Sequence, residues 1–163
     1  MTEPTPSGRD ALRTLLMSLL TAPVFIVIAV FLIVGGVGDH ELPPVWLTVG
    51  LLALVAAAVG LARFLTAQLP AIAIGTARDE AMTRALGAFR ANVMVRYAVL
   101  EAPVLIGVVV SFLVDHGAWP LLIAGVPSIA AMFALLWPSD ASFERAERRL
   151  DRNGGRSYLR EAS

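Results

Sequence analysis

Residues 14–37 read TLLMSLLTAPVFIVIAVFLIVGGV and contain no charged side chain. A helix needs about 20 apolar residues to cross the hydrocarbon core of a bilayer, which is roughly 30 Å thick. The run is long enough to do so. It is also longer than the apolar region of a secretory signal peptide. We therefore interpret it as a first transmembrane helix that is retained.

Three more apolar runs follow this one. Residues 42–62 and 117–138 are uncharged, and residues 97–114, YAVLEAPVLIGVVVSFLV, contain a single glutamate. The chain of 163 residues is 57% hydrophobic and only 16% charged, which is typical of multi-spanning membrane proteins. The sequence predicts an all-α integral membrane four-helix bundle within a transmembrane domain of residues 1–138, with spans at about 14–36, 45–65, 94–114 and 118–137.

The arginines predict the orientation of the four spans. All 13 basic residues are arginine, and they occur in the two terminal segments and around the central loop. The two short loops near residues 39–41 and 115–116 have none. Because cytoplasmic loops carry the excess of basic residues, both termini and the central loop are predicted to be cytoplasmic. We expect a multi-pass protein of the inner (plasma) membrane of a bacterium.

The central loop, residues 66–93, is predicted to be a cytoplasmic helical hairpin. In this interpretation the second helix continues past Arg63 towards Gly75 with a kink at Pro70, and the third helix starts near Ala77. Its two arms project from the inner face of the membrane.

Two local patterns support a helix start after residue 76. Thr76 and Asp79 have the spacing of a capping box, and Glu80 and Arg84 have that of an ion pair one turn apart. In the charged cytoplasmic tail, 139–163, the part up to residue 150 is predicted to form a short helix.

The two halves of the chain resemble each other. Residues 21–24, TAPV, align with residues 101–104, EAPV, and in each half an Asp-His loop follows. This pattern is explained either by two duplicated transmembrane hairpins in parallel orientation or by chance similarity of apolar segments. Pro23 and Pro103 lack an N–H group, so each is predicted to kink its helix.

Glu101 is the only charged residue inside the four apolar runs, which are predicted to lie in the hydrocarbon region. An ionised carboxylate near the midplane costs about 2.5–3.5 kcal/mol, and protonation avoids much of this cost. Tyr97 lies one turn earlier on the same face and is placed to donate a hydrogen bond. Arg96 lies on another face and would help only by snorkelling. Glu101 and Tyr97 are the candidates for an ion- or proton-binding site, and a structural polar clamp is the alternative.

Residues 92–114, NVMVRYAVLEAPVLIGVVVSFLV, resemble the carboxylate-bearing helix of the proteolipid (c) subunits of rotary ATPases. Many members of that family carry an acidic residue followed by Ala-Pro on a helix that enters from the cytoplasmic loop. The resemblance implies that Glu101 is an ion-carrying carboxylate. The chain departs from the family in lacking a glycine-repeat helix and in having a longer central loop.

The composition excludes several chemistries. The chain has no cysteine and no lysine, which excludes disulfides, thiolate catalysis and lysine Schiff bases. His40 and His116 each follow an aspartate, but their spacing is not diagnostic of a metal site. We therefore expect no catalytic residues, no metal and no cofactor, and the net charge of zero indicates no nucleic-acid partner.

Three functional hypotheses follow from the sequence. The first is a non-enzymatic accessory or structural subunit, whose small residues four positions apart pack within the bundle, against a second copy or against a larger membrane complex. The second is a proton- or cation-responsive transport component with Glu101 as the titrating carboxylate. The third is a protein that binds anionic lipids of the bilayer through its arginines.

Overall fold

The computed structural model describes residues 8–38, 41–68, 70–137, 140–152, 154 and 156–157, with side chains for all of these except 8–13, 15 and 140–143. These residues form helices and connecting loops, with no strand among them. The helices are α1 (Gly8–Ile33), α2 (Val45–Ala67), α3 (Arg78–Leu113), α4 (Trp119–Leu136) and α5 (Asp140–Leu150). The predicted all-α class is confirmed.

The first four helices are long and apolar enough to cross a membrane. Their outer surface is apolar, since large side chains such as Phe25, Leu32 and Phe64 are mostly exposed. An exposed apolar surface of this extent suits a lipid environment better than water. Trp46 is 73% exposed and Trp137 is 44% exposed, and they lie at opposite ends of the bundle. This distribution is typical of membrane proteins, in which tryptophan is enriched at both membrane–water interfaces. The chain is a multi-pass membrane protein.

The α1 helix ends earlier than residue 36 because two glycines follow it. Gly35 and Gly36 have φ values of 77° and 71°, which side chains with a Cβ rarely adopt. The Gly36 N–H donates to the Phe31 carbonyl at 2.9 Å, closing the last turn of the helix.

In the bundle, α3 and α4 form the central pair, and α1 and α2 each pack against both of them. The loop between α1 and α2 consequently passes close to the α3–α4 turn, where the Ala118 N–H donates to the Gly36 carbonyl at 2.9 Å. His116 Nδ1 lies 3.2 Å from the Glu41 carbonyl oxygen in the same region. The packing of α1 with α2 does not repeat the close packing of α3 with α4, so the duplication stays a hypothesis.

Small residues bring α3 and α4 together. Gly107 is buried against α4, and a Cβ at this position would lie 3.1 Å from the Pro120 carbonyl oxygen and 3.2 Å from the Leu121 Cα. One turn later the Ser111 Oγ accepts a hydrogen bond from the Leu121 N–H at 3.1 Å. Since the first N–H groups of a helix have no partner within it, Ser111 caps the start of α4 from the neighbouring helix.

The prediction of a helical hairpin over residues 66–93 is wrong for the first of its two helices. The α2 helix ends at Ala67, with Gln68 as its C-cap, and residues 70–77 form a loop. Pro70 accounts for the end of the helix, since its ring clashes with the preceding turn and disfavours helical geometry at the residue before it. The Ile72 N–H instead donates to the Leu150 carbonyl at the end of α5, at 2.8 Å.

The second arm is helical as predicted, because α3 begins at Arg78 and continues without interruption to Leu113. The capping box is wrong: the N-cap is Ala77, which makes no side-chain capping bond. The Thr76 hydroxyl donates to the Ala73 carbonyl at 2.9 Å, within the turn that precedes the helix. The predicted ion pair is confirmed, with 2.6 Å between Arg84 and Glu80.

Candidate functional site

Tyr97 and Glu101 are hydrogen-bonded as their spacing predicts. The Tyr97 hydroxyl donates to Glu101 Oε1 at 3.1 Å. Tyr97 is buried and Glu101 is half-buried, so the bond lies at the edge of the helix packing. Among the described residues, no side chain from another helix hydrogen-bonds to Glu101 or pairs with it. The role of Glu101 as an ion- or proton-binding group stays a prediction.

Pro23 and Pro103 are both fully buried inside continuous helices. Neither proline ends its helix, although each lacks the N–H that would bond the carbonyl four residues earlier. Pro103 follows Glu101 by two residues, so the chain is held in the bundle core directly beyond the carboxylate. The predicted kinks stay a prediction.

Arg96 is engaged with α4. Only 9% of its surface is exposed, and its Nη2 donates to the Leu135 carbonyl at 2.9 Å. The last carbonyls of a helix have no partner within it and carry partial negative charge, so a guanidinium is a favourable partner for them. Arg96 therefore binds the end of α4 and not Glu101, and the expectation that it would help Glu101 only by snorkelling stays a prediction.

Asn92 binds the end of α2 in a similar way. Its Nδ2 donates to the Leu65 carbonyl at 2.8 Å. Asn92 and Arg96 are one turn apart on α3, so one stripe of this helix binds the C-terminal ends of α2 and α4. These two bonds bring both helix ends to the same level of the bundle.

A cavity of about 370 Å³ opens at this level. Its volume lies at the lower end of the range typical of small-ligand sites, about 300–1,000 Å³. It is lined by all five helices, through Leu16, Arg63, Thr66, Phe89, Asn92, Val93, Arg96, Ala134, Leu135, Leu136, Arg145, Ala146 and Arg149. We call it the arginine cavity.

The lining of the arginine cavity is strongly positive. It includes four arginines and, among the described residues, no carboxylate. Arg96 is the buried member, Arg149 is half-buried, and Arg63 and Arg145 are exposed. The Arg96 Nε is buried without a hydrogen-bond partner in the described structure. A buried donor without a partner is costly, so this N–H is a candidate contact for an anion.

The C-terminal ends of α2 and α4 reduce this positive charge only in part. Each helix end carries about half a negative charge, so the two together offset roughly one of the four arginines. The field in the cavity therefore favours anions. By contrast, the neighbouring Arg148 lies outside the cavity and pairs with Glu144 at 2.6 Å.

Sequence reasoning used these arginines for membrane topology and offered anionic-lipid binding as an alternative, but it did not predict their convergence on one cavity. One local signal was available: none of the four has an acidic residue three or four positions away in the sequence. The same is true of Arg78, Arg90, Arg152 and Arg156, which do not line the cavity, so the signal alone is insufficient. Only the tertiary structure, in which residues of α2, α3 and α5 line one cavity, distinguishes the arginines that line it from those that do not.

The loop histidines do not form a described metal site. No cluster of three or more His, Asp or Glu side chains suited to a metal ion occurs within the described residues. Asp39 and His40 lie outside those residues.

No family model, no curated protein and no solved structure matches this chain.

Proposed function

We propose that this chain is a non-enzymatic membrane protein that binds the headgroup of an anionic lipid in the arginine cavity. The observation that carries the proposal is the convergence of four arginines from three helices on a cavity that has no carboxylate among the described residues of its lining. Basic pockets between transmembrane helices are a recurring form of anionic headgroup site.

The depth of the cavity supports a lipid ligand. Leu136 lines the cavity and is followed directly by Trp137, whose ring is partly exposed. Tryptophan is enriched at the boundary between hydrocarbon and headgroups, so the cavity lies at the level that lipid phosphates occupy. A headgroup would reach the arginines while its acyl chains remain beside the apolar helices.

The arginine distribution supports a cytoplasmic position for this end of the bundle. We propose that both termini, the α2–α3 loop and α5 lie on the cytoplasmic side of a bacterial inner membrane. The lipid would then come from the cytoplasmic leaflet, where anionic lipids attract basic segments.

The role as an accessory subunit, in a homo-oligomer or a larger membrane complex, stays a prediction and is compatible with lipid binding. The transport role stays a prediction as well. Glu101 and Tyr97 do not line the arginine cavity, so the proposed lipid site does not depend on the resemblance to rotary ATPase proteolipids.

The test is thermal unfolding of the detergent-solubilised full chain with added phosphatidic acid, phosphatidylglycerol or phosphatidylcholine. Binding to the folded state raises its unfolding temperature in proportion to the logarithm of ligand concentration over Kd. We expect the anionic lipids to raise this temperature and phosphatidylcholine to leave it unchanged.

Adjacent residues of α5 provide a matched pair of variants. Arg149→Gln removes a charge that lines the cavity, whereas Arg148→Gln removes one that lies outside it. We expect the lipid-induced shift to fall in the first variant and to persist in the second. Equal loss in both would show that the lipids respond only to total surface charge, and no shift for either anionic lipid would refute the proposal.

A further inference from the structure

The net positive charge of the arginine cavity indicates how much negative charge its ligand carries. Resting on the proposed function, we infer that the ligand is a membrane lipid with a terminal phosphate that carries two negative charges or more, as in a phosphomonoester or a diphosphate. A phosphodiester headgroup with a single negative charge would fill the site less well.

The first argument is electrostatic. Arg145 has a further interaction of its own, so it is left out of the charge count. Arg63, Arg96 and Arg149 supply three positive charges, and the two helix ends offset roughly one of them, which leaves about two. A phosphodiester supplies one negative charge and therefore neutralises only about half of this excess. A phosphomonoester has a second pKa near 6 and carries about 1.5 to 2 negative charges at pH 7, and a diphosphate carries at least as many, so both neutralise the cavity more fully.

The second argument concerns hydrogen bonds. A guanidinium has five N–H donors, usually offered in pairs to two oxygens. Arg96 uses one donor on the Leu135 carbonyl, and its Nε is buried without a partner. A terminal phosphate presents three equivalent oxygens, whereas a phosphodiester presents only two. Three oxygens allow Arg96 at the floor to be bound together with Arg63 from α2 and Arg149 from α5.

The third argument is the space available. The cavity has a volume of about 370 Å³. Water takes up about 30 Å³ per molecule in the liquid, so the cavity has room for about twelve water molecules. That space accommodates one or two phosphate groups with some of their hydration. A ligand of this kind would join α5 to α2 and α3 through shared arginine contacts.

The experiment compares phosphatidic acid with phosphatidylglycerol at equal concentration by native mass spectrometry of the full chain at pH 8. We expect phosphatidic acid to bind about tenfold more tightly or better. Lowering the pH to 5 protonates the phosphomonoester while the arginines stay charged, so this preference should shrink. Arg63→Gln and Arg149→Gln should each reduce the preference, and Arg148→Gln should leave it unchanged.

Three outcomes would overturn the inference. Equal affinity for the two lipids at pH 8 would leave an anionic lipid site without selectivity for terminal phosphate. A preference that does not change between pH 8 and pH 5 would show that headgroup charge is not what the site recognises. Binding of free inorganic pyrophosphate as tight as that of phosphatidic acid would make the ligand a soluble anion. Loss of all anionic lipid binding would instead refute the proposed function itself.

Discussion

The close contact of α3 with α4 at Gly107 predicts a measurable penalty for a single methyl group. In Gly107→Ala the new Cβ would lie 3.1 Å from the Ala124 Cβ and from the Pro120 carbonyl oxygen. Two of the three nearest neighbours are backbone atoms of α4, so no side-chain rotation relieves the contact and the helices must separate by a few tenths of an ångström. Overpacking of this kind costs about 1–3 kcal/mol.

The opposing effect is the gain in helix propensity when alanine replaces glycine, about 0.5–1 kcal/mol. Gly60→Ala in α2 isolates this gain, because a Cβ at Gly60 meets nothing within 4 Å. We expect Gly107→Ala to have a free energy of unfolding about 1–3 kcal/mol below that of Gly60→Ala.

The assay is unfolding of both variants by sodium dodecyl sulfate in mixed micelles, followed by tryptophan fluorescence. The chain has three tryptophans, so the wild type and both variants share the same probes. Equal stability of the two variants, or a more stable Gly107→Ala, would show that α3 and α4 are not packed at this distance.

Three more outcomes are expected. Ser111→Ala leaves the Leu121 N–H without its partner and should lower the free energy of unfolding by about 1–2 kcal/mol in the same assay; an unchanged value would mean that α4 is capped in another way. Glu101→Gln keeps an oxygen for the Tyr97 hydroxyl, so we expect a folded protein with stability within about 1 kcal/mol of wild type, whereas loss of folding would favour an ionised structural role. Removal of anionic lipid should increase the rate at which trypsin cleaves within α5, measured by mass spectrometry of the products, and an unchanged rate would show that the lipid does not hold this helix.

The membrane class of the fold could be predicted because it depends on local quantities. Four apolar runs of sufficient length can satisfy their backbone in lipid only as helices, so hydropathy alone identifies them. The hydrogen bond between Tyr97 and Glu101 was equally local, since four residues bring the two side chains to one face of a helix. In each case the sequence spacing determines the geometry without reference to the rest of the chain.

The predictions from sequence failed in two situations. In one, a local signal was given too little weight, and in the other, the structure depends on how the helices pack. Pro70 was treated as a kink, although proline more often ends a helix in a segment that no membrane surrounds. Hydropathy does not predict how α1 and α2 pack against the central pair of helices. The hydropathy profile of the sequence is the same for every arrangement of four apolar helices. The arginine cavity depends on that arrangement, because its four arginines come from α2, α3 and α5.

The two charged side chains of α3 near the bundle core belong to separate environments. Arg96 and Glu101 are five residues apart, which places them about 140° apart around a helix. Arg96 faces the end of α4, and Glu101 bonds to Tyr97 on its own helix. Arg96 is therefore not the counter-ion of Glu101, and neutralising Glu101 removes no charge from the lining of the arginine cavity. Lipid binding in Glu101→Gln should match that of the wild type, so a proton- or ion-dependent activity, if it is found, can be separated from lipid binding by this one substitution.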